Sequence, residues 1–278
     1  MTNQSSSPTL AVIAISRNEI RDIRSFLSNV STVADEVVVV DDGSTDGTLD
    51  VLRSAEPKVR VLERRLEPEG GFAAQRNAGS ELATADWLLH MDIDERISRG
   101  LATEIRSILP RTKALAFRYR RLNFFLHRPF RAGGWESWNN VQLARRGRHR
   151  FVGSIHERVD VDGGEANIGQ LAAEMWHLND ESFVERISKN AGYAHPTARD
   201  VMMKVRVRWW HLLFVPAWRA LKAWVWGGAW RHGELGLIFA LYVFSGTFNG
   251  WAVAWDEQNR IPREELEKKI AAEDVDRP

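Results

Sequence analysis

Two clusters of carboxylates could do chemistry in this chain, because each directly follows a run of mostly apolar residues. Residues 37–40 are four valines that lead into Asp41-Asp42-Gly43-Ser44, and residues 87–91 lead into Asp92-Ile93-Asp94-Glu95. Such runs are typical of buried strands in a parallel sheet, and α/β folds bind their ligands at the carboxyl ends of these strands. The clusters therefore predict an enzyme with an acidic site at one edge of a sheet.

The elements that must position these acids alternate between strand and helix. Apolar runs predict strands over residues 10–15, 37–41, 58–62 and 87–91, and a helical pattern follows each of the first three. This alternation predicts a doubly wound parallel sheet. After a further helix near residues 101–109, residues 114–161 change to strand-like, glycine-broken sequence, which predicts a mixed sheet with loops.

Composition excludes several classes of site. The chain has 278 residues, a formal net charge of +1 and no cysteine. It therefore has no disulfide framework, no thiolate zinc site and no cysteine nucleophile, which suits a cytoplasmic protein. Residues 1–8 are polar and lack the basic and apolar regions of a secretory signal, so export is not expected.

Basic residues are concentrated in two stretches. Residues 111–150 are rich in arginine, with Glu136 as the only acid, and this stretch either faces phosphates or anionic lipid or is simply a solvated basic surface. Residues 204–255 hold most of the tryptophans, together with Arg206, Arg208, Arg219, Lys222 and Arg231. Tryptophan favours the headgroup level of a bilayer and cations favour anionic lipid, so this second stretch predicts a membrane interface.

The predicted membrane stretch is expected to form several short helices, because Pro216 and Gly227-Gly228 interrupt it. Its last part, residues 235–255, is at about 20 residues just long enough to span a bilayer. Polar residues and glycines dilute this run. A monotopic hairpin, or a helix packed on the rest of the protein, is therefore favoured over a membrane span.

Four motifs occur in a fixed order and carry a resemblance. They are Ser16-Arg17-Asn18-Glu19, the Asp-Asp-Gly-Ser turn at residues 41–44, Gln75-Arg76-Asn77-Ala78-Gly79 and Asp92-Ile93-Asp94-Glu95. This order resembles that of the family 2 glycosyltransferases and covers most of the chain. Later features, namely Gly133-Gly134-Trp135, His156-Glu157 and His177, further resemble the branch that contains bacterial lipopolysaccharide-core β-glucosyltransferases.

The resemblance implies an α/β fold of the GT-A type, in which a Rossmann-like, mostly parallel sheet meets a mixed acceptor-side sheet. Residues 9–200 would form the catalytic domain, with a nucleotide-sugar-binding half at 9–110 and an acceptor half at 111–180. Residues 201–278 would form a C-terminal amphipathic helical region at the membrane.

The resemblance also implies an activity. The expected enzyme transfers a hexose from a UDP-sugar, with inversion and with the help of Mn²⁺ or Mg²⁺, to a lipid-linked or lipopolysaccharide-core saccharide in cell-envelope glycan synthesis. It would act at the cytoplasmic face of the bacterial inner membrane, as a peripheral or monotopic protein on an anionic surface. A nucleic-acid partner is not expected, and a Rossmann dehydrogenase is disfavoured because no Gly-x-Gly-x-x-Gly follows the first strand.

Carried over residue by residue, the resemblance places Asp42 on the uracil or ribose and Asp94 on the metal. Asp92 would bind the metal or the ribose, and alternate residues of an extended strand end point the same way, so both carboxylates can converge. His177 is a further candidate metal ligand, with a buried structural histidine as the alternative. The other expected donor-binding residues are Ile15, Ser16, Arg17, Glu19, Arg76 and Asn77.

Inversion requires a general base to take the proton of the acceptor hydroxyl, and Glu157 is the candidate, with His156 to orient or replace it. Trp135 and Trp138 could stack on an acceptor sugar or simply pack the sheet. Two alternatives remain open. One is transfer to a polyprenyl phosphate, whose oxygen is already ionised and needs no base, and the other is a nucleotide-sugar-binding membrane protein without transfer activity.

Overall fold

The protein is described by a computed structural model over residues 7–56, 59–67, 69–153, 157–180 and 182–272. Its first half alternates strand and helix as β1 (Leu10–Ser16), α1 (Ile23–Val30), β2 (Glu36–Asp41), α2 (Thr48–Arg53), β3 (Arg60–Glu63), α3 (Gly71–Leu82) and β4 (Trp87–Asp92). The four strands are parallel, in the order β3, β2, β1, β4. The predicted doubly wound arrangement of this half is confirmed.

The second half adds β5 (Glu95–Ile97), α4 (Arg99–Ile108), β6 (Ala116–Phe125), β7 (Arg128–Phe130), β8 (Asn139–Arg145), β9 (His149–Val152), β10 (Arg158–Val161) and β11 (Ile168–His177). Strand β8 pairs antiparallel with β4, and β6, β11 and β5 follow it in the same sheet, with β7 on β6. The mixed second half is thus continuous with the parallel half, and β9 and β10 form a separate antiparallel pair.

Burial of both faces of the parallel strands forms the core. Leu10, Val12 and Ala14 of β1 pack with α1 and α4 on one face, and Ala11 and Ile13 pack on the opposite face, where α3 lies. Apolar residues on both faces of a strand are what a parallel sheet covered by helices requires. The registers pair Ser16 with Asp41 and Ile15 with Asp92, so the polar residues after each apolar run meet at one edge.

The chain divides into two compact units, and the second comprises residues 131–134 and everything from Asp180 onward. It holds α5 (Phe183–Met202), α6 (Trp209–Val225), α7 (Gly233–Asn259) and α8 (Arg263–Ala271). The division lies ahead of α5, whereas the expected boundary at 200/201 lies at its end, because α5 packs on α7. The expectation that Pro216 breaks a helix is wrong: α6 runs through it, while the break at Gly227-Gly228 is present.

Candidate active site

A cavity of about 360 Å³ opens at the carboxyl ends of β1, β2 and β4 within the first unit. It brings together seven of the predicted donor- and metal-binding residues, although they come from three separate parts of the chain. They are Ile15, Ser16, Arg17, Glu19, Asp42, Asp92 and Asp94. Residues that were not predicted to bind the donor or the metal complete the lining: Val40, Leu66, Phe72, Gln75 and Ile93.

Asp42 lies in this cavity with one fixed and one exchangeable partner. Its Oδ1 accepts a hydrogen bond from the backbone N–H of Leu66 at 2.6 Å, and its Oδ2 accepts one from Nη1 of Arg17 at 2.9 Å. The Arg17 side chain is 62% exposed. One carboxylate oxygen is therefore held by the main chain, and the other is covered only by a solvated cation that a ligand can displace.

The neighbouring acid, Asp41, has a structural role. It is fully buried and accepts hydrogen bonds from the hydroxyl of Ser16 at 2.6 Å and from the backbone and hydroxyl of Ser44 at 2.7 and 2.6 Å. Asn18, in the left-handed region at φ 56°, donates its N–H to the Ser44 hydroxyl and accepts from the N–H of Thr45. These bonds tie the loop after β1 to the turn after β2, which holds Asp42 in place.

Arg76 forms ion pairs with two of the predicted acids, Asp92 and Glu157. It is 7% exposed, its Nη2 donates to Oδ1 of Asp92 at 2.7 Å, and its Nε donates to Oε2 of Glu157 at 2.9 Å. Burial disfavours the charged guanidinium, but the two carboxylates outweigh it and raise the pKa of Arg76. Arg76, which was expected to bind the donor, therefore bridges Asp92 and the candidate base.

A second arginine, Arg121 of β6, closes the same network. Its Nη2 lies 3.3 Å from Oδ2 of Asp92 and 2.5 Å from Oε1 of Glu95, and its guanidinium stacks 4.0 Å from the ring centre of Trp138. Burial alone would raise the pKa of Asp92, but the charges of Arg76 and Arg121 lower it to about 2. Asp92 is therefore ionised, and both of its oxygens are paired with arginines.

Asp94 is the acid of this cluster that faces a histidine. Nε2 of His177 lies 3.1 Å from Oδ2 of Asp94, and Nδ1 of His177 lies 2.7 Å from Oδ1 of Asn123. Because an amide oxygen only accepts, Nδ1 must carry the proton. A neutral His177 would then point the lone pair of Nε2 at a carboxylate oxygen, and a proton or a cation between them resolves this conflict.

The donor set at Asp94 and His177 fits a divalent cation whose other ligands come from elsewhere. Among the described residues, no group of three or more Asp, Glu, His or Cys side chains is close enough to hold a metal alone. Mg²⁺ commonly takes one or two protein carboxylates and completes its coordination with substrate phosphates and water. Nitrogen from His177 would favour Mn²⁺ somewhat.

Comparison with known proteins then decides the family. Residues 11–158 match the family model of glycosyl transferase family 2, which is more than half of the chain. The chain belongs to this family. The cavity described above lies within the matched segment.

Two curated relatives are similar to this glycosyltransferase over most of its length. The lipopolysaccharide core biosynthesis glycosyltransferase LpsC of Rhizobium meliloti (strain 1021) is 29% identical over 216 residues, which is 74% of this chain and 77% of LpsC. An uncharacterized glycosyltransferase of Rickettsia bellii (strain RML369-C) is 32% identical over 206 residues, which is 69% of this chain and 67% of that protein.

Solved structures resemble it more distantly. A crystal structure of S. aureus TarS 1–349 has a TM-score of 0.47 and 16% identity, and covers 92% of this chain and 93% of that one. The complex of the same fragment with UDP-GlcNAc has a TM-score of 0.48 and 16% identity, and covers 96% of this chain and 88% of that one.

Glu19 adds negative charge to the cavity of this glycosyltransferase. Burial, and after it the nearby charge of Asp94, raise the pKa of Glu19 to about 7. Burial is also the main cause that raises the pKa of Glu95 to about 7. Glu95 accepts a hydrogen bond from the backbone N–H of Asp92 at 2.9 Å. Crowded acids of this kind mark a position where a cation is favourable.

Seven predicted residues are not among those that line the cavity. Arg76 contacts Asp92, His177 contacts Asp94 and Glu157 contacts Arg76. The other four are Asn77, Trp135, Trp138 and His156. The amide of Asn77 forms two hydrogen bonds with the backbone of Phe151, at 2.9 and 3.0 Å, which accounts for an amide at this position without a ligand. Trp135 packs edge-on against Phe125 and Phe130. Trp138 lies under Arg121 and beside the core, and His156 lies outside the described residues.

Sequence reasoning missed Arg121 and Asn123, which hold Asp92 and His177. A signal was present, because Tyr119, Arg121 and Asn123 alternate along β6 and therefore share one face of the sheet. Tyr119 on that face is fully buried and donates its hydroxyl to the carbonyl of His90 at 3.3 Å. The period of two separates Arg121 from Arg118 and Arg120, which lie on the other face of β6.

Proposed function

We propose that this family 2 glycosyltransferase is an inverting enzyme that transfers a hexose from a UDP-sugar to a lipid-linked or lipopolysaccharide-core saccharide in cell-envelope glycan synthesis. The observation that carries the proposal is the convergence of Asp42 and Asp94 on one cavity at the sheet edge, with Glu157 linked to Asp92 through Arg76. Similarity to LpsC, whose name states lipopolysaccharide core biosynthesis, supports the acceptor class.

In this proposal Asp42 binds the nucleoside. Its Oδ2 would exchange the exposed Arg17 for the imide N–H of uracil or a ribose hydroxyl, while the Leu66 N–H keeps Oδ1 in place. A hydrogen bond to an ionised carboxylate is stronger than a neutral one, which favours this exchange. Ile15 and Glu19 border the same cavity and would contact the donor.

Asp94 and His177 would hold the divalent cation, with Asp92 as a further candidate in the same cavity. When bound, Mn²⁺ or Mg²⁺ neutralises the charge of the departing UDP. Arg76 and Arg121 compensate the charge of Asp92 from the protein side and keep its carboxylate in one orientation. Asn123 fixes the ring of His177 by a hydrogen bond to Nδ1.

The transfer itself is a direct displacement. The acceptor hydroxyl oxygen attacks the anomeric carbon from the face opposite UDP, its proton passes to Glu157, and the bond between the anomeric carbon and the diphosphate oxygen breaks. The electron pair of that bond leaves with UDP, so the configuration at the anomeric carbon is inverted. Arg76 would position the carboxylate of Glu157 for this proton transfer.

Release of UDP from a panel of UDP-sugars, with Mn²⁺ and with and without a bacterial lipid extract, tests the proposal. We expect one sugar to be turned over and the turnover to be lost in Asp94→Asn. Asp50→Asn, which removes an exposed acid of α2, is the matched control and should remain active. Tight UDP binding without any product would overturn the proposal in favour of a non-catalytic binding protein.

Glu157→Gln tests the acceptor class separately. Loss of a general base typically costs about 10²–10⁴-fold in rate, so we expect transfer to a sugar hydroxyl to fall within that range while UDP affinity is retained. An unchanged rate with a lipid acceptor would instead assign transfer to a polyprenyl phosphate, whose oxygen is already ionised.

A further inference from the structure

Helices α6 and α7 of the second unit expose an unusual amount of apolar surface. We define the tryptophan face by Trp209, Phe214, Trp218, Trp226, Leu237 and Leu241, all of which are exposed. Trp209 and Trp226 are exposed by 68% and 66%. Contiguous apolar surface of this kind, rimmed by polar residues, marks an interaction site rather than an ordinary solvated surface.

On α6, exposed apolar residues form a single stripe. Phe214, Trp218, Leu221 and Val225 follow one another at intervals of three or four residues, so they form one stripe along the helix. Trp218 and Trp226 contact each other at 5.5 Å between ring centres, and Trp209 contacts Trp210 at 5.8 Å. These rings pack among themselves at the surface.

The charges beside the stripe identify the kind of partner. Arg219 and Lys222 are exposed on α6, and no Asp or Glu occurs in the sequence between Asp200 and Glu234. Arg208 lies over the ring of Trp210 and Arg231 over that of Trp230, each at 5.3 Å. Tryptophan beside arginine and lysine is complementary to the headgroup layer of an anionic bilayer.

The packing of α7 on α5 decides whether α7 would cross such a membrane or lie on its surface. By length and composition, one helical stretch among the described residues, Ala229–Asn259, could cross a bilayer, because it contains an 18-residue window with a mean hydropathy of 1.5. Two glycines of α7 fit closely against polar side chains of α5: a Cβ on Gly246 would lie 2.6 Å from the Asn190 amide, and one on Gly250 would lie 2.5 Å from the Thr197 methyl.

Helix α5 cannot follow α7 into hydrocarbon. Lys189 and Arg199 are exposed on α5, on either side of this close contact with α7. Charged side chains in the middle of a bilayer are costly, and α5 would bring both of them there if α7 spanned the membrane in this packing. A helix with one side on a polar partner and the other side apolar can instead lie in the plane of the interface.

We propose that the tryptophan face lies in the headgroup layer of an anionic membrane, with α6 and α7 parallel to the bilayer and neither of them crossing it. Membrane binding of this kind does not depend on the donor or the acceptor of the enzyme.

Sedimentation of the purified full chain with phosphatidylcholine vesicles, with and without phosphatidylglycerol, tests the partner. We expect binding to the anionic vesicles and a fall of at least about tenfold in partition for Trp218→Ser/Trp226→Ser and for Arg219→Gln/Lys222→Gln. Ile20→Ser and Arg99→Gln remove an exposed apolar side chain and an exposed cation from the first unit and are the matched controls. Equal loss in the controls, or no binding by the wild type, overturns the proposal.

Two further measurements separate the other arrangements. Alkaline carbonate extraction of membranes from expressing cells should release a protein that lies on the surface, and retention in the pellet would assign a span to α7. Light scattering of the free protein should give a monomer mass. The face would instead be assigned to a second copy of the chain if the free protein were a dimer that Trp218→Ser/Trp226→Ser dissociates, with loss of vesicle binding.

Discussion

At the scale of single residues, Arg76 is the group whose loss should be felt most widely. Its buried guanidinium joins Asp92 at the end of β4 to Glu157 ahead of β10. Removing one partner of a buried ion pair leaves charges without compensation and typically costs about 3–5 kcal/mol. We therefore expect Arg76→Met to lower the free energy of unfolding by about 3–5 kcal/mol in urea denaturation.

The control for Arg76 is an arginine paired on the surface. Arg118 of β6 contacts the exposed Glu165 at 2.6 Å, and exposed pairs of this kind contribute little. Arg118→Gln should leave the urea midpoint unchanged. A midpoint shift in Arg76→Met no larger than that of Arg118→Gln would show that the buried network does not support the fold.

Asn123 should act on the metal through His177. Its Oδ1 accepts from Nδ1 of His177 at 2.7 Å, and partners of this kind, which orient a ligating histidine, typically change metal affinity by about 10–100-fold. We expect Asn123→Ala to weaken Mn²⁺ binding by about that factor in calorimetric titrations with UDP present. Asn139→Ala, at an exposed amide pair with Gln170, should leave Mn²⁺ affinity unchanged, and equal weakening in both variants would contradict a positioning role.

Whether a residue of the site could be predicted from the sequence depends on how far away its partners lie along the chain. Asp42, Asp92 and Asp94 could be predicted from the sequence because each follows an apolar strand that places it at the ligand edge. Arg121 and Asn123 could not, because their partners come from β4 and β11, 29 residues away for Asp92 and 54 for His177. Periodicity shows which face a side chain occupies and leaves open which strand lies beside it.

At the scale of elements, α3 packs closely on the sheet at Gly79. A Cβ at this position would lie 2.5 Å from Cγ2 of Ile13 and 3.2 Å from Cγ2 of Val40. Overpacking a buried contact typically costs about 1–3 kcal/mol, and we expect Gly79→Ala to lose about that much in urea denaturation.

Gly192 of α5 is the matched helical glycine. A Cβ there meets no described atom within 4 Å. Alanine should therefore be neutral or stabilise α5 by up to about 1 kcal/mol, because it lowers the entropy that glycine loses on folding. If Gly79→Ala were as harmless as Gly192→Ala, α3 would have to lie farther from the sheet than described.

Glu36, at the start of β2, makes stability depend on pH. It accepts hydrogen bonds from the N–H groups of Thr84 and Ala85 and from Arg60, and these outweigh the effect of burial and lower its pKa below 4.5. Because its pKa is depressed in the folded state, its contribution is complete above the unfolded pKa and is lost as pH falls through the folded value.

We therefore expect Glu36→Gln to cost about 1–3 kcal/mol at pH 7, the usual contribution of hydrogen bonds to a charged group, and progressively less as pH falls below about 4.5. Urea denaturation of both proteins across this range measures the difference. Glu81→Gln, at an exposed acid of α3, should show no such pH dependence. A difference that persists undiminished at low pH would assign the effect of Glu36 to packing.

The strands and helices with strong hydrophobic periodicity were predictable from the sequence. A very short strand and a helix that continues through a proline were not. Strand β5 has three residues and depends on antiparallel pairing with β11, in which His177 stands opposite Glu95. Pro216 was expected to break a helix because it lacks a donor and its ring crowds the preceding turn. In α6 it is buried, and α6 continues through it while packing on α7.

At the scale of the whole molecule, the chain combines a unit that carries the candidate donor site with a unit that carries the tryptophan face. Donor binding and membrane binding should respond differently to salt. Attraction between exposed cations and anionic lipid is screened as the Debye length falls from about 10 Å at 0.1 M to about 3 Å at 1 M. Partly buried pairs such as Arg76 with Glu157 are screened far less.

Raising salt over roughly this range should therefore reduce sugar transfer to an acceptor in anionic vesicles, with little change in UDP release from the donor in free solution. The two rates, measured on the same enzyme preparation, separate membrane delivery from chemistry. Arg219→Gln/Lys222→Gln should start at the low vesicle rate and respond weakly to salt, because the screened charges are already absent. If both rates fell together in the wild type, salt would be acting on donor binding, and the second unit would contribute nothing to acceptor delivery.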